Sequence, residues 1–156
     1  MPEVRPVTKE NWEELIDLKV REDQRGFVAS NLYSIAEMQF GEDIPNEGHW
    51  DMRAFGIYDD GKPVGFLMVA YNFGYARFQG FVQRLMVDEK FQGKGYGRFG
   101  MEWILDHYRA DDRVSAIAIS YEPHNEVARK LYASLGFVET GEMVDGEALA
   151  VLKLRP

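Results

Sequence analysis

A glycine-rich segment near the middle of this 156-residue chain restricts its fold more than any other feature. Three apolar residues precede the segment, and the hydrophobic spacing becomes helical after it. The apolar residues are Leu85, Met86 and Val87, and the loop reads Gln92-Gly93-Lys94-Gly95-Tyr96-Gly97-Arg98. Alternate glycines let neighbouring backbone N–H groups face one point, and a helix N-terminus behind them adds about half a unit of positive charge. The segment predicts a strand, a phosphate-binding loop and a helix, in that order.

Two common phosphate-binding folds fit the loop poorly. The run from Gly95 to Gly100 satisfies G-x-G-x-x-G, and Glu122 lies 22 residues further on, as in a dinucleotide-binding domain. Such a domain needs further βαβ units after this point, and only 34 residues follow Glu122. A Walker P-loop is excluded because no Gly-Lys-Ser/Thr follows at the required spacing.

Hydrophobic periodicity predicts a single domain over residues 1–156, of mixed α/β class, with the order β-α-α-β-β-β-α-β-α-β-β. The predicted strands are 4–7, 53–58, 63–71, 78–87, 114–120, 137–143 and 147–154. The predicted helices are 8–20, capped by Thr8, then 28–38, 95–109, and 125–136, capped by Asn125. Residues 41–48 are polar and predict a loop, and Asp59-Asp60-Gly61-Lys62 predicts a hairpin turn.

The charge of the chain is unevenly distributed. Residues 1–60 contain 14 acidic and 6 basic side chains, whereas the remaining residues contain 12 of each. The acidic first part argues against nucleic acid as a partner and leaves room for a cationic one, while an acidic surface that keeps the protein soluble is the alternative.

The cysteine content and the length of the apolar runs indicate where the protein is located. There are no cysteines, which excludes disulfides and thiol catalysis. No apolar run reaches the length of about 20 residues that crosses a membrane, and residues 1–5 have no apolar signal-peptide core. We therefore expect a cytoplasmic protein without a membrane partner.

Two motifs together resemble a known family. Gln92-Gly93-Lys94-Gly95-Tyr96-Gly97 is similar to the Q/R-x-x-G-x-G/A pyrophosphate loop of the GCN5-related N-acetyltransferases (GNAT). Residues 125–137 resemble that family's N-x-x-A-x-x-L-Y-x-x-x-G-F helix, one strand later, as in the family. The resemblance implies one N-acetyltransferase domain with acetyl-CoA as cosubstrate and no metal. It also implies a splayed pair of central parallel strands.

The family resemblance also implies roles for individual residues. The pantetheine arm of CoA would bond to main chain in the splay, and an N–H near Val87 would polarise the thioester carbonyl. Tyr132 would protonate the departing thiolate, and Asn125 would contact the pantetheine or adenosine part. The residues implied for CoA binding are Leu85, Met86, Val87, Gln92, Gly93, Lys94, Gly95, Tyr96, Gly97, Arg98 and Asn125, with Lys90 near the phosphates.

The sequence does not identify the base that deprotonates the amine. Many relatives carry a glutamate on the strand before the loop, whereas this chain has Phe81-Val82-Gln83-Arg84, which contains no carboxylate. A water chain to Glu22 or Glu37, or solvent itself, are the alternatives.

The first two helices resemble those of the Blt-type spermine/spermidine acetyltransferases, which carry a similar Q-x-x-F-V-A-S-N run. A polyamine acceptor is implied, with carboxylates pairing with its ammonium groups and aromatic rings packing on its methylenes. The predicted acceptor-binding residues are Glu22, Asp23, Gln24, Phe27, Tyr33 and Glu37, with Glu42, Asp43, Glu47 and Trp50 as further candidates. The alternatives are another amine (an amino acid, an aminoglycoside or a protein amine) or a CoA-binding sensor without turnover. A homodimer through the final two strands is also possible.

Overall fold

A computed structural model describes residues 1–25 and 29–156, whose strands form one mixed sheet with helices on both faces. Along the sheet the strand order is β1-β3-β4-β5-β6-β8-β7, and β2 pairs with β3 outside this path. The strands are β1 (Glu3–Pro6), β2 (Glu42–Ile44), β3 (Gly48–Asp59), β4 (Lys62–Tyr71), β5 (Gly80–Val87), β6 (Ala116–Tyr121), β7 (Val138–Val144) and β8 (Glu147–Lys153). The α-helices are α1 (Trp12–Ile16), α2 (Asn31–Met38), α3 (Tyr96–Arg109) and α4 (Glu126–Ser134), and short 3-10 turns cover Glu22–Gln24 and Glu89–Phe91.

The predicted order of elements is confirmed, with one additional strand. Residues 41–48 are not a loop throughout, because β2 pairs antiparallel with the first residues of β3. The left-handed backbone of Asn46 (φ 69°) and Gly48 (φ 105°) turns the chain between these two strands. Strand β3 begins at Gly48 rather than at residue 53. Trp50 and Met52 are buried and continue the alternation of β3, so the strand could have been extended from its sequence. Strand β2 has no such signal, because Glu42 and Asp43 are both exposed.

The first two helices are shorter than predicted. Helix α1 begins after Asn11 instead of Thr8, and the Asn11 side chain accepts a hydrogen bond from the Thr8 N–H at 2.8 Å in the turn before it. Helix α2 begins after Ser30, whose hydroxyl accepts from the Tyr33 N–H at 3.1 Å. The Ser30 hydroxyl satisfies one of the N–H groups that a helix leaves unpaired at its start, whereas no side chain caps α1.

The predicted splay between β5 and β6 is confirmed by their register. The two parallel strands pair at Gly80–Ile117, Phe81–Ala118 and Val82–Ile119 and then separate. At this point β5 also shifts register against β4, because Val82 pairs with Val69 whereas Arg84 pairs with Met68. Gln83 is the extra residue of this bulge. Bulges bend and twist a strand, so the bulge lies where the strand leaves its neighbour.

The core is divided between the two faces of the sheet. Helices α3 and α4 cover Ile57, Leu67 and Ile117, and the face toward α1 and α2 buries Leu15, Phe66 and Met68. Gly100 permits close packing of α3, because a Cβ there would lie 3.0 Å from the side chains of Ile57 and Leu85. The start of α3 is thereby held beside the end of β5.

Candidate active site

The glycine loop has the backbone conformation that the spacing predicted. Gly93 and Gly95 have φ of 78° and 88°, a region in which a side chain is strained. Gly97 is helical and lies against Val87 and Leu131, each 4.0 Å from an ideal Cβ. The N–H of Phe99 donates to the carbonyl of Gly95 at 3.0 Å, closing the first turn of α3. The amide groups before Phe99 remain available to an anion, as at any helix start.

The side chains of the loop hold it in place. Nε2 of Gln92 donates to the Val87 carbonyl at 3.0 Å and to Oε1 of Gln24 at 2.8 Å. The Tyr96 hydroxyl donates to Asp59, so only the backbone of Tyr96 is available to a ligand in the loop. Nη2 of Arg98 donates to the Ser134 hydroxyl at 2.8 Å, which ties the loop to α4.

Two cations near the loop have different surroundings. The Lys94 ammonium lies 5.6 Å from the ring centre of Phe91. Lys90 is exposed and lies in the turn Glu89–Phe91, which Asp88 begins by accepting from the Lys90 N–H at 3.1 Å. Both are close enough in sequence to Gly93 to contribute positive charge at the mouth of the loop.

Beyond Val82, β5 bonds to β4 on one edge and faces the splay with the other. Val87, Met86 and Leu85 pair with Gly65, Phe66 and Leu67 of β4 in register. Alternate residues of an antiparallel pair direct their N–H and C=O groups to opposite edges. Main-chain groups of 83–87 therefore face the space between β5 and β6, where an extended ligand can bond to them.

A cleft of about 860 Å³ opens at this splay. Its walls come from α2, β2, β5, β6, α4 and the turn between β7 and β8. Four aromatic rings line one part and contact one another, with centroid distances from 5.0 to 6.3 Å: Trp50, Tyr75, Phe78 and Phe81. Eight acidic side chains also line it, called the cleft carboxylates below: Glu37, Glu42, Asp43, Glu47, Glu122, Glu142, Asp145 and Glu147.

Two arginines share the cleft with these carboxylates. Arg77 pairs with Glu142 through both terminal nitrogens. Nη2 of Arg84 lies 3.3 Å from Oε1 of Glu37, and Nη1 donates to the Gln83 carbonyl at 2.7 Å. The acidic side chains outnumber the basic ones in the lining, so the field in the cleft is negative.

The pKa of Glu42 is raised above its usual value in this cleft. Burial raises it first, and the negative charges of Glu37, Asp145 and Glu47 raise it further, while Arg84 lowers it. Carboxylates that repel one another hold a bound cation more favourably than an isolated carboxylate does.

Tyr132 and Asn125 lie on the α4 side of the same cleft. Tyr132 is 8% exposed, and its ring centre lies 5.4 Å from that of Tyr121. Burial raises the pKa of Tyr132, which keeps its phenol protonated at neutral pH. The Asn125 side chain accepts from the Ala128 N–H at 3.2 Å and so begins α4. A protonated phenol thus lines the space into which the β5 main chain opens.

Comparison with known proteins assigns this arrangement to a family. A model described as the acetyltransferase (GNAT) family matches residues 12–137 of the chain. The chain belongs to the GNAT family. The family match agrees with the two sequence motifs, and the assignment of the loop, the splay and Tyr132 to the acetyl-transfer site stays a prediction.

The individual relatives share only low sequence identity with this chain. The chain is 26% identical over 156 residues to the spermine/spermidine N(1)-acetyltransferase of Bacillus subtilis (strain 168), covering 97% of each protein. The spermidine N-acetyltransferase from Vibrio cholerae, in complex with CoA and spermine, superposes with a TM-score of 0.72 at 17% identity, over 98% of this chain and 95% of that one. An aminoglycoside acetyltransferase in complex with coenzyme A gives 0.74 at 17% identity, with the same coverage. At such identity the structural neighbours establish the GNAT fold.

The acceptor-binding residues predicted for this GNAT protein are not all in the cleft. Glu37 lines it, whereas Glu22, Asp23, Gln24 and Tyr33 are not among its lining residues. Glu22 and Asp23 are exposed in their turn, Gln24 bonds to Gln92, and the Tyr33 side chain is 59% exposed. Phe27 lies outside the described residues. These assignments stay predictions, and the further candidates Glu42, Asp43, Glu47 and Trp50 do line the cleft.

Several lining residues were missed by the sequence analysis. The β7–β8 hairpin contributes Glu142, Asp145 and Glu147, which belong to the part of the chain with no net charge. The spacing of Tyr75, Phe78 and Phe81 was the available signal for the aromatic part of the cleft. Within the described residues, no group of three or more side chains is placed to hold a metal ion. No helix there combines the length and the apolar character of a membrane span.

Proposed function

We propose that this GNAT enzyme transfers the acetyl group of acetyl-CoA to a primary amine of a polyamine such as spermidine or spermine. The observation that carries the proposal is the cleft at the splay, where eight acidic side chains outnumber two arginines beside an aromatic cluster. Carboxylates pair with ammonium groups, and aromatic rings pack on methylenes or hold a cation over a ring. The curated relative from Bacillus subtilis and the solved neighbour from Vibrio cholerae, both named for polyamine acetylation, support this acceptor.

The loop and the splay fit acetyl-CoA in this proposal. The free amide groups from Gly93 to Arg98 bind the pyrophosphate, and Lys90 and Lys94 add positive charge beside it. The main chain of 85–87 bonds to the pantetheine arm as an additional strand would. Asn125 contacts the same arm from α4.

The transfer itself needs a neutral amine, a polarised carbonyl and a proton for the leaving group. The amine nitrogen attacks the thioester carbon, whose oxygen accepts a hydrogen bond from an N–H near Val87. The C–S bond then breaks, and the phenol of Tyr132 gives its proton to the thiolate. The proton lost by the nitrogen leaves through water, which also returns a proton to Tyr132.

An aminoglycoside is the second candidate acceptor, because it also carries several ammonium groups and a solved neighbour is named for that activity. The polyamine comes first because the Bacillus subtilis and Vibrio cholerae proteins are both named for polyamine acetylation. A CoA-binding sensor without turnover is the candidate of a different class.

A thiol-release assay with acetyl-CoA distinguishes these functions. The panel contains spermidine, spermine, an aminoglycoside, amino acids and a peptide with a free N-terminus. We expect turnover with the two polyamines, and product masses that increase by one acetyl group. Turnover with the aminoglycoside alone, or CoA binding without turnover of any amine, contradicts the proposal.

A further inference from the structure

The charge of Arg84 is only partly balanced by the protein. Its one carboxylate partner, Glu37, is held by a single contact of 3.3 Å rather than by a two-pronged pair. Its Nε atom is buried and has no hydrogen-bond partner among the described residues. A guanidinium prefers two parallel bonds to a carboxylate, and a buried donor without a partner is costly. The cleft therefore contains a fixed positive charge with unused bonding capacity.

The position of Arg84 places this charge at the splay. The residue directly follows the bulge at Gln83 and precedes Leu85, whose main chain faces the opening between the strands. Its side chain lines the same cleft as Tyr132 and contacts Glu37 on α2. The guanidinium thus lies at the inner part of the cleft, on the side of the sheet that α2 covers.

A positive charge beside the attacking amine would favour acetyl transfer. An aliphatic amine has a pKa near that of lysine, about 10.4, so at neutral pH almost all of it is protonated and cannot attack. A free carboxylate next to it would raise that pKa, whereas a cation lowers it. Neighbouring cations activate amine nucleophiles in this way. Residues 81–84 supply no carboxylate to act as a base, and they supply an arginine.

We propose that Arg84 keeps the reacting amine in its neutral form, while carboxylates further out in the cleft hold the distal ammonium group of the acceptor. Glu37 contacts Arg84, so it raises the pKa of the reacting nitrogen less than a lone carboxylate would. The inference rests on the proposed function only in requiring a primary amine as acceptor. It explains how the amine can be neutral although residues 81–84 carry no general base, and it orients the acceptor.

The other charged groups around Arg84 are consistent with this division. Burial raises the pKa of Glu42 first, and the charges of Glu37 on α2, Asp145 in the β7–β8 turn and Glu47 before β3 raise it further, while Arg84 lowers it. On the α4 side the phenol of Tyr132 is neutral. The four other cleft carboxylates have partners among the described residues: Asp43 with Nδ1 of His49, Glu142 with Arg77, Glu147 with the Ser120 hydroxyl, and Glu122 with the His124 N–H.

The dependence of kcat on pH tests the proposal. Using the best acceptor of the wild-type enzyme, we expect Arg84→Gln to move the midpoint of the acidic limb upward by about one pH unit, because a nearby charge changes a pKa by roughly 1–3 units. At pH 7 this corresponds to a loss of about tenfold in kcat. Arg84→Lys keeps the charge and should restore the midpoint. Arg53→Gln removes an exposed arginine outside the cleft and serves as the control.

Each outcome decides between the two proposals. An unchanged midpoint in Arg84→Gln, with the wild-type enzyme active on polyamines, overturns the role of Arg84 and leaves the proposed function intact. Activity on another primary amine alone overturns the polyamine proposal, and the same pH comparison then tests Arg84. No activity on any amine overturns both. If Arg84→Gln does not fold with Glu37 unpaired, the double variant Arg84→Gln/Glu37→Gln is compared with Glu37→Gln, from which it differs only in the charge of Arg84. Its midpoint should lie above that of Glu37→Gln, and equal midpoints overturn the role of Arg84.

Discussion

Nε2 of Gln92 donates to the carbonyl oxygen of Val87 at 3.0 Å and thereby joins the glycine loop to the end of β5. The same nitrogen donates to Gln24, so the turn before α2 is attached to the loop as well. The glutamine of the loop motif therefore acts within the protein. It holds the phosphate-binding backbone at a set distance from the main chain that faces the splay.

Replacement of Gln92 should weaken CoA binding without unfolding the protein. Gln92→Ala removes two hydrogen bonds, and a loss of about 1.4 kcal/mol corresponds to a tenfold rise in Kd. We expect that rise for CoA in isothermal titration calorimetry. Gln39→Ala, an exposed glutamine that bonds only to the Ile35 carbonyl, is the control and should leave the Kd unchanged. Equal affinities of Gln92→Ala and wild type would show that the loop holds its shape without the glutamine.

Parts of the site that depend on local backbone were predictable from sequence. Gly93 and Gly95 adopt positive φ as their spacing indicated, and Asn125 begins α4 as its position in the motif indicated. The bulge at Gln83 was not predictable, because it depends on the register between β4 and β5. The acidic hairpin around Asp145 was also missed, since only the folded sheet brings it opposite Glu42.

Tyr132→Phe should separate chemistry from binding. The variant keeps the ring that packs beside Tyr121 and removes the proton that the thiolate needs. General-acid catalysis contributes about 10²–10⁴-fold, so we expect kcat to fall by about a hundredfold. The Kd for CoA should stay within about twofold, as measured by calorimetry. Tyr58→Phe, whose phenol bonds to Glu14 outside the cleft, should retain full kcat. A Tyr132→Phe enzyme with wild-type kcat would exclude Tyr132 as the acid.

Removing the charges of Glu42 and Asp145 should weaken binding of the acceptor and leave binding of acetyl-CoA unchanged. In the double variant Glu42→Gln/Asp145→Asn, two charges that face the same part of the cleft are lost while side-chain volume is kept. We expect KM for spermidine to rise about tenfold, because each partly screened ion pair contributes of order 0.5–1 kcal/mol. The KM for acetyl-CoA should not change.

The control for this experiment is Asp106→Asn, an exposed acid of α3 outside the cleft. Salt provides a second readout, since screening weakens exposed charge pairs. The wild-type KM for spermidine should rise with ionic strength, and that of the double variant should rise less. Parallel salt dependences would show that these two carboxylates do not hold the acceptor.

His107 should make the stability of the fold sensitive to mild acid. Its ring stacks on Trp103 with centroids 4.7 Å apart, and its Nε2 is hydrogen-bonded to the Tyr71 hydroxyl. Burial, and then the charge of Arg53, lower its pKa below the usual 6.5. Between the lowered value and 6.5 the unfolded chain binds the additional proton, so stability is lost as pH falls through 6.5 and the loss ends below the folded pKa.

Urea unfolding of His107→Gln across pH 5 to 8 measures this contribution. At pH 7.5 the variant should be less stable than wild type, because the contacts of the imidazole with Tyr71 and Trp103 are lost. The difference in stability should narrow toward pH 5, because the wild type alone is destabilised there by a buried imidazole that resists protonation. His124→Gln, with a side chain 92% exposed, should follow the wild-type curve throughout. A difference between His107→Gln and wild type that is constant with pH would show that the imidazole packs without any cost of protonation.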